Sequence, residues 1–497
     1  MDSKKSIKNI TSSKKFRYGS AAIAFTVIFS AFIILLNAVF SFIADRNGGF
    51  YADLTTNRIY DLSEETMDVL SNLEQKVEII FCMTEDKVDD VDTLLYVKRL
   101  AEKYASACGN VTISFRDSQK DPIYFNQFKK TSADTISNHS VIVNCAETKR
   151  YVVYSERNFF KFSSGTGSVF AYDGENKLTS AIMQTAIAET QRAAFITGHG
   201  EDKRNAMETL LREQGYEVSD IEISAVTEEE LSHYDLLIIC NPKYDYTGIS
   251  EGKEGRVNEI GMLSSYLTRS YGNLMVFIGP DTPSLPELSS FLADDWGVSY
   301  KPGSVIYESS AAALDPYGLY FIGTASDPST SGGKIHSAIT GSGVQATVFA
   351  NASPLEITFS EKGEREVSAV YETSGGASIY RDGKLDENAS APVMTLSTYT
   401  KIYDGVERRA NVLVCGSVEY LNYVSVQSYA NADVLKSAFS AMGNKSVVTG
   451  IGYKVLDDTA ITVSQDDFKR YMVLLSTVIP VIIAAVGIFV YMKRKKA

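Results

Sequence analysis

Cysteine is scarce and scattered in this chain. Its 497 residues hold five, Cys82, Cys108, Cys145, Cys240 and Cys415, with no CxxC spacing. That pattern excludes a zinc ribbon and a redox dithiol of the familiar kind. Four of the five lie in or at the end of apolar, strand-like runs (IIFCM, VIVNC, LLIIC, VLVCG). They are expected as small buried hydrophobes, not as a disulfide framework. Histidine is scarcer still, with four residues, His139, His199, His233 and His336. Phosphate-binding loops are also lacking. The nearest imitation of GxxxxGK[ST] is Gly332, Gly333 and Lys334, where Pro328 stands in place of the first glycine and Ile335 follows the lysine. A GxGxxG fingerprint is missing from the turn at 198–203. The chain therefore carries no nucleotide-binding engine of its own, and no cofactor is expected.

Positive charge is in deficit: 48 Lys and Arg against 61 Asp and Glu leave a formal net charge of −13. An acidic surface repels phosphate backbones and anionic headgroups, which argues against nucleic acid or a lipid surface as ligand. An apolar content of 44% is enough for a folded body of two or three domains.

What the chain does have is two long uncharged stretches near its ends, 20–43 and 471–492. At about 1.5 Å per residue, each is long enough for a hydrocarbon core of roughly 30 Å. Lys4, Lys5, Lys8, Lys14, Lys15 and Arg17 precede the first, and Lys493, Arg494, Lys495 and Lys496 follow the second. The expectation is two transmembrane helices and a two-pass protein of the cell membrane, with basic cytoplasmic tails at 1–19 and 493–497 and the main body outside. A cleaved signal peptide is the alternative for the first stretch, though its apolar run is longer than such segments use.

Between the two stretches the pattern is α/β. Ser63 reads as a helix N-cap, feeding a helix with Met67, Leu70 and Leu73 at helical spacing and then a strand at 77–83. A helix at 92–107 and further strands make 44–190 an N-terminal α/β domain, thioredoxin-like in layout. From 191 to 299, near-continuous apolar strands (AAFIT, LLIIC, LMVFI) alternate with helical segments. That predicts a Rossmann- or flavodoxin-like parallel sheet covered on both faces. Residues 300–409 read as an irregular β-rich insertion. A return strand and helix of the core and a connector follow at 410–470.

The most conspicuous chemical constellation is Gly198, His199, Gly200 and Glu201, at the turn from the first strand of the parallel core to its helix. In open α/β sheets the carboxyl edge is where ligands bind, so His beside Glu there can be an acid/base pair, half a metal site, or a glycine-framed turn that contacts a partner. The last reading is preferred. Gly416 and Ser417 lack the second glycine of a nucleophile elbow, and Asp281, Thr282 and Pro283 read as loop.

Taken in serial order, several segments resemble the GldG-like auxiliary components of gliding-motility-related ABC-type transport systems. They are DLTTNRIYDLSEETMDVLSNLEQKVEIIF, KYASACGNVTISFRD, ENKLTSAIMQTAIAETQRAAFITGHGE, LLREQGYEVSDIEIS, YDLLIICNPKYDYTGISEGK, YLTRSYGNLMVFIGP and NVLVCGSVEYL. The resemblance implies a non-catalytic, membrane-anchored subunit whose partners are a permease, a separate cytoplasmic ATPase and, through two helices, the bilayer. Its GHGE turn maps onto Gly198–Glu201 with no catalytic role attached. Where the family has a glycine-rich turn before the GNLMVFIGP strand, this chain has Ser270 and Tyr271. Two rivals stay open: a hydrolase or amidotransferase-like enzyme using His199 and Glu201, and a solute-binding receptor with a cleft between its α/β domains.

Overall fold

A computed structural model describes residues 28–29, 31–32, 34–35, 58–129, 135–162, 167–187, 189–202, 205–248, 257–309, 311–339, 344–403, 406–443 and 451–456. It is a mixed α/β protein with several sheets.

The fold begins with helix α1 (Glu64–Ser71), capped by Ser63, whose hydroxyl accepts from the Thr66 amide, and with Glu64 and Glu65 at its positive end. Its buried face is Thr66, Leu70 and the following Leu73, while Met67, counted above among the apolar set, is exposed. A four-stranded sheet follows: β1 (Val77–Phe81), β2 (Val111–Phe115), β3 (Ser140–Cys145) and β4 (Arg150–Ser155), in the order β2-β1-β3-β4. Helix α2 (Asp92–Ala107) makes the crossover that lets β2 run parallel to β1, whereas β3 and β4 are antiparallel additions.

The larger sheet has nine strands. Five form a parallel block: β5 (Gln191–Thr197), β6 (Tyr216–Glu222), β7 (Leu236–Cys240), β8 (Asn273–Phe277) and β11 (Val406–Cys415), in the order β6-β5-β7-β8-β11. Every residue of β7 and β8 is buried. The reason is two-sided cover. Leu236, Ile238 and Cys240 pack with α4 (Asn205–Glu213) and α7 (Asn431–Ala441), while Leu237 and Ile239 pack with α5 (Glu259–Thr268) and the segment Leu288–Trp296.

Part of residues 300–409, read above as a β-rich insertion, joins the core sheet, and the rest forms small two- and three-stranded sheets. Strands β9 (Arg365–Glu372) and β10 (Pro392–Tyr403) extend the same sheet through antiparallel pairing onto β11. The alternation of β-formers was visible in the sequence, but only the long β10–β11 register joins these strands to the parallel block. Helix α6 (Ser331–Ser337) lies against β9 so closely that a Cβ on Gly332 would sit 2.3 Å from the Ala369 carbonyl oxygen. Gly332 and Gly333 are packing glycines, not a phosphate cradle.

The expectation of flanking transmembrane helices, and with it the two-pass cell-membrane localisation, is corrected. Among the described residues no helix is long and apolar enough to cross a membrane. The longest described helix, α2, has 16 residues, about 24 Å at the α-helical rise, and is amphipathic. The stretch 471–492 lies outside the described residues, as does all of 20–43 except six helical, exposed positions between Ile28 and Leu35.

An ionic lattice joins the smaller sheet's elements to the larger. Glu175, on α3 (Gly174–Ile182), accepts from the Ser63 amide at 2.5 Å and the Thr66 hydroxyl at 2.8 Å and pairs with Lys454 at 3.0 Å. Lys177 of the same helix reaches Glu213 of α4 at 3.4 Å. Lys161 lies 3.6 Å from Asp173, and Lys436 of α7 pairs with Asp433 at 2.9 Å. Burial pushes the Lys436 ammonium down, but Asp433, Asp173 and Glu213 outweigh it and hold it charged. Burial likewise pushes the Asp433 carboxyl up, and Lys436, Lys161 and Lys177 bring it below its ordinary range.

Removing one partner of such an enclosed pair takes from the other its nearest counter-charge, whereas removing both does not. Urea unfolding of Lys436→Met should therefore show a loss of about 3 kcal/mol, and the double variant Lys436→Met, Asp433→Leu should recover most of it. Equal losses in the single and double variants would show that the pair holds nothing together.

Candidate functional site

The parallel strands end in loops along one edge, and the sequence-predicted turn lies there. β5 hands over to Gly198–Glu201, β7 to 241–246 and β8 to 278–282. Gly198 and Gly200 both have left-handed backbones, with φ of 113° and 74°. Only glycine adopts these without strain. A Cβ on Gly200 would also lie 3.2 Å from the Cβ of Lys243, so the glycine lets the two loops meet. They are stitched by the Lys243 and Tyr244 amides, which donate to the His199 carbonyl at 2.8 and 2.9 Å.

His199 is buried, at 8% exposure, and lies between two carboxylates. Its Nε2 is 3.1 Å from Glu259 Oε2, and its Nδ1 is 3.3 Å from Glu201 Oε1 without hydrogen-bond alignment. The ring stacks on Tyr246, with centroids 4.0 Å apart and planes 19° from parallel. The Tyr246 hydroxyl donates to Glu201 Oε1 at 2.7 Å, and the His199 amide donates to Glu201 Oε2 at 2.7 Å. Glu259 sits in the first turn of α5 and accepts from the Thr247 amide at 2.8 Å and its hydroxyl at 3.0 Å.

The electrostatics follow from that packing. Burial alone pushes His199 down, but the close Glu201 carboxylate, the hydrogen bond to Glu259 and the charges of both raise the imidazole to about 9. Burial pushes both carboxyls up, and the His199 contact outweighs it in each, aided by Tyr246 at Glu201 and by Thr247 at Glu259. At neutral pH the centre is an imidazolium held by two carboxylates. While protonated, the imidazole accepts no further proton.

Beside it runs a second polar chain. Asn241, left-handed at φ 52°, donates to Asp202 at 2.9 Å and Asp281 at 3.0 Å, and accepts from the Thr282 hydroxyl at 2.9 Å. Lys243 pairs with Asp281 at 2.8 Å, and the Asp245 carboxylate caps Pro286–Ser290 by accepting the Glu287 and Leu288 amides. Asp281 and Thr282, read as loop in the sequence, belong to this network. Ser417 does not. It lies two residues past the end of β11, fully buried, and its hydroxyl donates to the Ala350 carbonyl and accepts from the Tyr420 amide.

Sequence reasoning placed His199 and Glu201 together but missed Tyr246, Glu259, Asn241 and Lys243. Glu259 was legible as an acid in the first turn of a predicted helix. Nothing in the sequence tied that turn to residue 199. Among the described residues, no group of three or more His, Cys, Asp or Glu is arranged to hold a metal ion.

A domain of unknown function (DUF7088) matches residues 56–156, the segment of the smaller sheet. No curated protein matches the sequence. Among solved structures, a glutamine amidotransferase from Thermotoga maritima aligns at 9% identity and a TM-score of 0.28, covering 51% of this chain and 98% of that one. PurLQS from Thermotoga maritima aligns at 13% identity and a TM-score of 0.25, covering 51% and 99%. Likeness at these scores carries no argument about fold or activity.

The raised imidazole makes stability depend on alkaline pH. A folded-state value near 9 against about 6.5 unfolded stabilises fully below pH 6.5 and fades as pH rises through 9, by on the order of 3 kcal/mol in all. Urea titrations at pH 7 and pH 10 should show this decline in the native protein. His199→Gln should be less stable at pH 7 yet lose little more by pH 10. A parallel decline in both proteins would place the titrating group elsewhere.

Proposed function

We propose that the chain is a non-catalytic auxiliary subunit, and that the carboxyl edge around His199 is a preorganised contact surface for a partner protein. The observation that carries this reading is the saturation of the edge. The groups at its centre are engaged with one another: His199 lies between Glu201 and Glu259, Tyr246 donates to Glu201, Lys243 pairs with Asp281, and Thr282 donates to Asn241. A catalytic edge needs a nucleophile and a free base within hydrogen-bond reach of each other. Here the imidazole is charged and clamped. What it supplies is rigidity, which lowers the ordering cost of binding. Tyr244, 70% exposed on the loop stitched to His199, offers an aromatic anchor of the kind enriched at interfaces. On the resemblance described above, the partners proposed are the permease and ATPase subunits of an ABC-type transport assembly.

A photo-crosslinking residue at position 244 in the full chain, expressed in its native cells, should capture one of those subunits. His199→Gln, by loosening the edge, should lower that yield several-fold. Capture of no subunit, together with a glutamine- or ester-hydrolysing activity of the purified chain that vanishes in His199→Gln, would replace this reading with that of an enzyme.

A further inference from the structure

A second surface lies at the opposite, amino edge of the parallel block. Strands β10 and β11 continue beyond the sheet as a two-stranded arm. The pairing of β10 with β9 ends at Tyr399, and that of β11 with β8 ends at Asn411, whereas β10 and β11 pair with each other out to Tyr403 and Val406. Apart from the Thr400 amide, which donates to the Glu364 carbonyl, main-chain groups along the outer sides of the arm are left beyond the sheet's own ladders, and the β11 side is a template for an added strand.

The side chains of the arm are specific. Lys401, Ile402, Val406, Glu407, Arg408 and Arg409 are exposed, with Ile402 and Val406 at 70% and 58%. Lys401 lies opposite Arg408, so the two cations share one face. That face continues inward as a ladder of alternating rings and guanidinium groups. Arg408 sits 5.5 Å from the Tyr271 ring, Tyr271 stacks on Tyr399 at 6.2 Å, and Arg365 lies 5.1 Å from Tyr399 and 5.3 Å from the buried Trp296. Tyr271 holds a left-handed backbone, φ 56°, which costs a tyrosine on the order of 1 kcal/mol and persists only where surroundings impose it. It stands where the resembling family has a glycine-rich turn, and that backbone brings its ring onto the ladder.

We propose that this arm binds an extended, acidic polypeptide segment, which adds as a strand along β11 with carboxylates on Lys401 and Arg408 and an aliphatic side chain against Val406. Charge complementarity selects the occupant: Glu407 and Arg409 pair with each other on the opposite face, which leaves the Lys401 and Arg408 face cationic on a chain whose net charge is −13. A long nucleic acid would meet that acidic body, and its backbone cannot use a strand edge. The proposal stands apart from the reading of the His199 edge, because the two surfaces lie at opposite ends of the parallel strands.

The test uses the full chain and a fluorescein-labelled peptide of alternating Glu and Val, measured by fluorescence anisotropy. Three comparison probes are the Lys-Val analogue, the Glu-Val peptide N-methylated at alternate residues, and a single-stranded oligothymidylate. The Glu-Val peptide should bind, weaken as salt rises, and lose at least tenfold in affinity in Lys401→Glu, Arg408→Glu with the circular dichroism spectrum unchanged. Arg408→Ala should show a smaller loss. N-methylation should abolish binding, since it removes strand donors and leaves the charges. Equal binding of the Lys-Val peptide, indifference to charge reversal or to N-methylation, or preference for the oligothymidylate would overturn the proposal. So would self-association abolished by Ile402→Lys, which would make the occupant a second copy of this chain.

Discussion

Apolar strands with both faces buried are the constraint on which the structure depends. A strand such as Leu236–Cys240 has no face it can show to water, so the chain must supply helices to both sides of the sheet. Each buried side chain contributes roughly 1.5–3 kcal/mol toward that arrangement. The order of elements follows: α4 and α7 on one face, α5 and the segment ending at Trp296 on the other. The loops that change direction between them are gathered at the strand ends. The His199 centre is a product of that geometry, since three successive loops emerge within hydrogen-bond reach of one another.

Charge is managed differently in two places where it is enclosed. At the carboxyl edge one cation answers two carboxylates, and the aromatic face of Tyr246 closes the ring from above. In the lattice between the sheets, lysines and acids pair around α3, α4 and α7, and Lys436 and Asp433 each feel several charges of opposite sign. The first arrangement fixes a loop; the second fixes one group of elements against another. Neither leaves a described charge enclosed without an answer, the condition under which buried ions are tolerated.

The legible parts of the fold were those written in local pattern. Ser63 as a cap, the alternation of apolar strands with helices after residue 191, and the glycine-framed turn at 198–201 could each be read from neighbours in the sequence. What was not legible depended on partners far apart in the chain. Glu259 reaches His199 across 60 positions, and β9 and β10 join the large sheet only through a strand that begins at Val406. The apolar runs at the two ends show the opposite error. Length and hydropathy suggested two membrane spans; those runs lie almost wholly outside the described residues, among which no helix is long and apolar enough to span.

The free thiols give the fold an internal clock. Burial holds both Cys82 and Cys415 up at about 12, and Cys240 and Cys415 flank Phe277 on neighbouring strands at the centre of the large sheet. A thiol reacts as its thiolate, so an alkylating reagent meets these sulfurs only when the strands around them part. Cys82 closes the first strand of the small sheet and Cys415 ends the last strand of the large one. Their labelling rates therefore time the opening of each sheet separately, without any probe having been added to the chain.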